Sequence, residues 1–122
     1  MKDPHSFSIK GKWPDKVLEQ GFTAIPNSLI RFRVELGIGI SEFFVILAIE
    51  SYRWDNWNQP FPSLKALSKL TGLSERQVGR ITRGLASSGY IVKTRRFNKT
   101  NLYDLTPLGE ELEFLIESSM ST

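Results

Sequence analysis

Between Ser63 and Gly89 the chain is punctuated so closely that it leaves room for two short helices and little else. Ser63 stands where an N-cap belongs, with a side-chain oxygen able to accept one of the unpaired N–H groups of a first turn. Leu64, Leu67 and Leu70 follow at helical spacing, and Thr71-Gly72-Leu73 breaks the run. Ser74 is a second cap, and Gln77 three residues on completes a capping-box pattern. Val78, Ile81 and Leu85 then recur at i, i+3 and i+7, and Gly89 stands just past the end, so a helix is predicted over 75–88.

Two strand-like segments come next, Tyr90–Arg95 and Asn101–Leu105, rich in Ile, Val, Thr and Tyr, with a turn over Phe97-Asn98-Lys99-Thr100. Thr106 is placed to cap a last helix, with Pro107 in its first position and Leu108, Leu112 and Leu115 as its apolar stripe. Upstream, residues 1–20 lack clean periodicity and read as an arm, and Gly21–Ile25 reads as a short strand. Pro26–Leu36 is predicted helical on Leu29, Phe32 and Leu36, ended by Gly37. Ser41 is expected to cap a helix running to about Tyr52, whose unbroken apolar stretch Phe43–Ile49 belongs at the centre of a core. Arg53–Pro62 is a loop, and its aromatics Trp54, Trp57 and Phe61 are expected to pin it to that core. The core itself should join Leu29, Phe32, Phe43, Ile46, Leu47, Leu67, Val78, Ile81 and Leu85. The fold class is mainly α with a small β-hairpin, a winged helix-turn-helix. Residues 1–20 form the arm, 21–106 the domain, and 107–122 a C-terminal helix and tail.

Charge is distributed to match. Residues 1–62 balance, and residues 101–122 hold five acids and no base. Between them, residues 63–100 carry Lys65, Lys69, Arg76, Arg80, Arg83, Lys93, Arg95, Arg96 and Lys99 against Glu75 alone. Positive charge gathered in one third of a chain is the footprint of a polyanion partner, although a solvated basic face gives the same count. The second helix sharpens the choice. At about 100° per residue, Arg76, Arg80, Arg83 and Ser87 fall within roughly 60° of one another, facing away from Val78, Ile81 and Leu85. Arg76 and Arg80 repel at i, i+4, a spacing that solubility alone fills with opposite charges. An anionic partner would relieve that repulsion.

In a helix-turn-helix the second helix lies in the major groove. Arg pairs with guanine edges and Gln with adenine, so Arg76, Gln77 and Arg80, in the N-terminal half, are the expected base readers. Arg83 is expected to meet phosphate, Ser63, Lys65 and Lys69 to serve the DNA backbone from the first helix, and Arg95, Arg96, Asn98 and Lys99 to form a basic wing. A catalytic reading fails. The chain has no cysteine, no H-x-x-x-H pair and no P-loop, and its one histidine, His5, lies in the arm. No metal or cofactor is expected. No apolar run approaches the roughly 18 residues of a membrane span, and no secretory h-region follows Met1, so a cytoplasmic protein is expected. Two other binding roles fit the same elements: a winged module for protein assembly in a replication or primosome complex, and a small-molecule sensor built on the Trp54–Phe61 loop. Phe114 stands off the last helix's apolar stripe on an acidic face, which favours a homodimer through that helix; the alternative is a monomer in which Phe114 packs on the arm at Phe7 or Trp13. Ser118–Thr122 reads as a linker or tail.

The stretches Phe61-Pro62-Ser63-Leu64-Lys65-Ala66-Leu67, Gly72-Leu73-Ser74-Glu75-Arg76-Gln77-Val78 and Leu85-Ala86-Ser87-Ser88-Gly89-Tyr90-Ile91 resemble bacterial winged helix-turn-helix proteins. Gly21–Leu29 resembles the opening of that domain in plasmid and phage replication proteins and related transcription regulators. The resemblance covers about 21–105. It implies a winged-helix fold, double-stranded DNA as partner and no catalysis, with Ser74, Arg76, Gln77 and Arg80 where the recognition helix meets DNA. Gln77 stands where the family commonly has Thr, which leaves the base preference open. The family spans regulators and replication initiators alike.

Overall fold

The computed structural model describes residues 11–53 and 59–120. His5, Phe7, Trp54 and Trp57 lie outside them, and with them most of the expected aromatic loop. Helix α1 (Asp15–Leu18) is a single turn that buries nothing. The expected strand over Gly21–Ile25 does not form: the segment is irregular, and the hairpin described below pairs with itself, leaving no strand for it among the described residues.

Helix α2 (Asn27–Arg31) is shorter than the predicted Pro26–Leu36, and Pro26 is its N-cap rather than its first residue. Phe32 (φ −99°, ψ 7°) leaves the helical region and interrupts it. The chain then winds one more turn and ends as the sequence indicates, at a left-handed Gly37 (φ 71°). Gly37 N–H donates to Val34 O and Ile38 N–H to Arg33 O, the paired bonds of a Schellman cap. Leu29, Leu36 and Ile38 face inward.

Helix α3 (Ile40–Glu50) is the centre of the molecule, with Val45, Ile46, Ala48 and Ile49 buried and both α4 and α5 packed on it. Its N-cap is Gly39 and not Ser41, which falls inside the first turn. Glu42 folds back over that glycine, so that a Cβ there would collide with Glu42 Oε2. Helix α4 (Leu64–Thr71) carries the predicted Ser63 cap, whose Oγ accepts from Ala66 N at 3.0 Å. Helix α5 (Glu75–Ser87) follows after three residues, then β1 (Val92–Thr94) and β2 (Leu102–Asp104), both shorter than predicted. The strands pair antiparallel, with Lys93 opposite Tyr103. Helix α6 (Thr106–Met120) buries Leu108 and Leu112, touches α2, and keeps Leu115 at the core edge. Thr106 is its first residue rather than its cap, and Asp104 Oδ1 accepts the Thr106 N–H at 3.0 Å.

The core therefore runs from Leu29 through α3, Leu67, Val78 and Leu85 to Ile91, Tyr103, Leu108 and Leu112. Each fully buried aliphatic side chain, such as Ile46, Ile49 or Leu67, contributes about 1.5–3 kcal/mol. Of the predicted core, Phe32, Phe43 and Ile81 are half-buried at its edge. Leu47 is not in it; it lines an open apolar groove with Thr23, Phe44 and Leu70. No helix among the described residues is long and apolar enough to cross a membrane.

Candidate nucleic-acid interface

The turn that aims α5 is fixed by short side chains. Gly72 takes φ 78°, a left-handed value that its missing Cβ makes inexpensive. Thr71 Oγ1 donates to Leu67 O at 2.8 Å and accepts from Leu73 N at 3.2 Å, and Ser68 Oγ donates to Leu73 O at 2.5 Å. Ser74 Oγ then accepts from Gln77 N at 3.1 Å while Gln77 Oε1 accepts from Ser74 N at 2.9 Å, the complete capping box. At the far end Gly89 (φ 81°) and Tyr90 close a second Schellman cap on Ala86 O and Leu85 O. Tyr90 reaches across to donate its hydroxyl to Leu36 O at 2.6 Å.

Between those ends α5 buries Val78, Gly79, Thr82 and Leu85 and exposes Arg76, Gln77, Arg80, Arg83 and Ser87. Among the described residues none of the three arginines forms an ion pair. Gly79 is the close approach to α4: a Cβ there would meet Arg83 Nη1 at 3.3 Å and Leu64 Cδ1 at 3.7 Å. Arg83 thus lies back along its own helix, while Arg76 and Arg80 stand out. Gln77 spends one carbonyl lone pair in the capping box, so the other lone pair and its amide N–H groups are what it has left to offer a base. Lys65 and Lys69 are exposed one turn apart on α4, and Ser63 is engaged as its cap.

The hairpin is tied to the body at its base. Tyr103 N–H donates to Pro60 O at 3.0 Å, and Thr100 Oγ1 donates to Phe61 O at 2.5 Å. Arg96 belongs to that brace. Its Nε donates to Thr100 O at 2.8 Å and its guanidinium lies 5.4 Å from the Phe61 ring centroid. Phe61 was expected to pin its loop to the core; instead it is half-exposed beneath Arg96. Arg95, Asn98 and Lys99 are exposed, with Asn98 in the left-handed region at φ 53°.

One cation had no role in the sequence reading. Lys93 sits on the inner side of β1, and its Nζ donates to Thr82 Oγ1 at 3.0 Å, joining wing to helix. Partial burial, then the Arg83 and Arg95 guanidinium groups, hold its pKa below the ordinary lysine value. Three positive groups therefore converge where α5 meets the hairpin. Strand alternation carried the signal: Lys93 shares its face with Ile91, which is buried. Opposite Lys93, the Tyr103 hydroxyl is buried with no hydrogen-bond partner among the described residues. Burial pushes its pKa up, against a smaller opposite pull from the nearby Asn101 side chain, which does not reach hydrogen-bonding geometry with the hydroxyl.

Residues 36–91, from the end of the α2 segment to the start of the wing, match the family model of a helix-turn-helix domain. Over 86% of this chain and 88% of the other, the fold is similar to the crystal structure of the N-terminal domain of DnaD protein from Geobacillus kaustophilus HTA426, with TM-score 0.69 and 26% identity. A type III plasmid segregation TubR mutant shows TM-score 0.47 and 21% identity over 83% of this chain and 99% of that one. No curated protein matches the chain.

Proposed function

We propose that this winged helix-turn-helix chain binds double-stranded DNA, with α5 in the major groove and the hairpin as a basic wing. It serves as a transcriptional regulator or as the DNA-binding part of a replication initiator. The observation that carries this reading is the outer face of α5, where Arg76, Arg80 and Arg83 are exposed without a carboxylate partner among the described residues, on a helix whose other face is core. The helix-turn-helix match over residues 36–91 supports it. In this reading Arg76, Gln77 and Arg80 meet base edges, and Ser74 holds the helix that carries them. Ser63, Lys65, Lys69, Arg83 and Lys93 meet phosphate; Arg95, Asn98 and Lys99 work from the wing, which Arg96 braces.

Selection from a randomised duplex pool, followed by footprinting, tests the reading. A protected site is expected, and Arg80→Ala should weaken it by roughly 1–3 kcal/mol and relax preference at one base pair. Failure to bind any duplex at low salt would instead favour a module for protein assembly.

A homodimer through α6 completes the proposal. Phe114 is 63% exposed and Met120 78%, on a helix whose inner stripe is already buried. A two-fold dimer would set two recognition helices about 34 Å apart, one turn of DNA. Sedimentation equilibrium on the wild type and on Phe114→Ser tests this; a wild-type monomer well above micromolar concentration refutes it.

A further inference from the structure

Phe97 is the most exposed large apolar side chain among the described residues, at 91%. Folding does not use it. The hairpin is held by the β1–β2 pairing, by Tyr103 on Pro60, and by Arg96 and Thr100 on the Phe61 segment. The ring stands on the turn beside Asn98, at the tip of a braced hairpin and away from every core contact. Its near neighbours Arg95 and Lys99 are exposed cations, and no acid lies anywhere from Ile91 to Asn101. A bare aromatic between two exposed positive charges is poorly suited to a protein's apolar surface, because docking there would strip water from both charges. It suits a polyanion with stacked rings inside.

We propose that Phe97 is an apolar wedge. It enters the minor groove beside the major groove occupied by α5, inserts its ring between two base pairs and kinks the duplex, while Arg95 and Lys99 hold the flanking phosphates. The inference rests on the DNA-binding reading above. Lengths agree with it. The Lys93–Thr82 bond fixes the strand against α5, and four further residues carry Phe97 at most about 14 Å beyond it. The neighbouring minor groove is centred about half a helical turn, roughly 17 Å, from the major groove that α5 occupies, and because β1 packs beside α5 rather than on its axis, the strand's own offset makes up the remainder. Phenylalanine has no group with which to read a base edge, so its contribution to sequence choice comes through deformability. The duplex should be kinked at a TA or CA/TG step in the flank, where unstacking is easiest and no polar side chain makes contact.

The test uses the full chain and the duplex recovered by selection, carrying 2-aminopurine at successive flanking positions and a donor–acceptor dye pair at its ends. Anisotropy reads binding first. Wild type is expected to raise 2-aminopurine emission at one flanking step and to bring the duplex ends closer. Phe97→Ala should melt like wild type, abolish both signals and weaken binding roughly five- to a hundredfold. Phe97→Leu, still an apolar wedge, should keep the bend. Equal emission and equal end-to-end distance for wild type and Phe97→Ala, with both bound, would overturn the wedge while leaving the DNA reading intact. Wild type that binds no duplex would overturn both. If Phe97→Ala lost affinity for single-stranded oligothymidine but not for the duplex, the ring would be a stacking platform for single strands and the wedge would again be overturned.

Discussion

Lys93→Met should move stability and DNA affinity in opposite directions. In the free protein the Lys93 ammonium is partly buried and faces Arg83 and Arg95, which holds its pKa below the unfolded value. A base with a depressed native pKa is bound by fewer protons in the folded than in the unfolded chain. Wild-type stability should therefore rise as pH climbs from that lowered pKa towards 10.5, the ordinary lysine value that the unfolded chain keeps. Methionine keeps the aliphatic stem and removes both the charge and this pH dependence. At neutral pH the variant should melt no lower than wild type, because Thr82 Oγ1 keeps its bond to Gly79 O. Bound DNA reverses the sign. A phosphate at the junction of Lys93, Arg83 and Arg95 gains from all three charges, and each neutralised phosphate adds about 0.9 to the salt slope of log K. Losing one contact therefore reduces the affinity drop between 50 and 200 mM salt by about 3.5-fold, the fourfold salt ratio raised to that power. Anisotropy titrations at several salt concentrations measure the slope, and thermal melts from pH 7 to pH 10.5 measure the linkage. An unchanged slope would remove Lys93 from the phosphate contacts. A variant that melts well below wild type at pH 7 would show that the ammonium's bond to Thr82 outweighs its electrostatic cost.

Three further outcomes concern the scaffold. Ser74→Ala removes the cap of α5 and frees Gln77, and should lower stability by about 1 kcal/mol in a urea titration; an unchanged midpoint would mean that the capping box is energetically idle. Gly72→Ala puts a Cβ into open space but at φ 78°, so strain alone should cost about 1 kcal/mol, and a variant as stable as wild type would contradict the left-handed turn. Tyr103→Phe deletes a buried hydroxyl with no partner among the described residues and should be neutral or stabilising in calorimetry; a loss above about 1 kcal/mol would reveal a bond that the geometry does not contain.

What could be read from the sequence was what short-range chemistry decides. Ser63, Gly72, Ser74, Gly89 and the stripe Val78, Ile81, Leu85 set α4, the turn and α5 nearly to the residue, because each signal and its consequence lie within one helical turn. The outward face of the arginines follows from the same periodicity. Features set by distant partners were misjudged. The interruption at Phe32 has no breaker residue to announce it, and Gly39 displaced Ser41 as a cap although serine is the better capping residue. Phe61 and Arg96 were assigned to core and DNA separately, and their mutual contact depends on a fold that brings residue 61 to residue 96. Lys93 counted only towards the basic charge for the same reason: its partner Thr82 is on another element, and only the docking of β1 against α5 brings the lysine beside Arg83.

The bracing of the hairpin separates what must stay from what is free to vary. Lys93, Arg96, Thr100 and Tyr103 fasten its base to two other parts of the chain, α5 and the Pro60–Phe61 segment, whereas residues 97–99 form no hydrogen bond with the body among the described residues. A tip of this kind is an exchangeable part. Loops of other length or sequence can be grafted between Arg96 and Thr100 without disturbing the helices, which makes the wing a natural place for this scaffold to acquire new targets, in evolution or at the bench, at little risk to its folding.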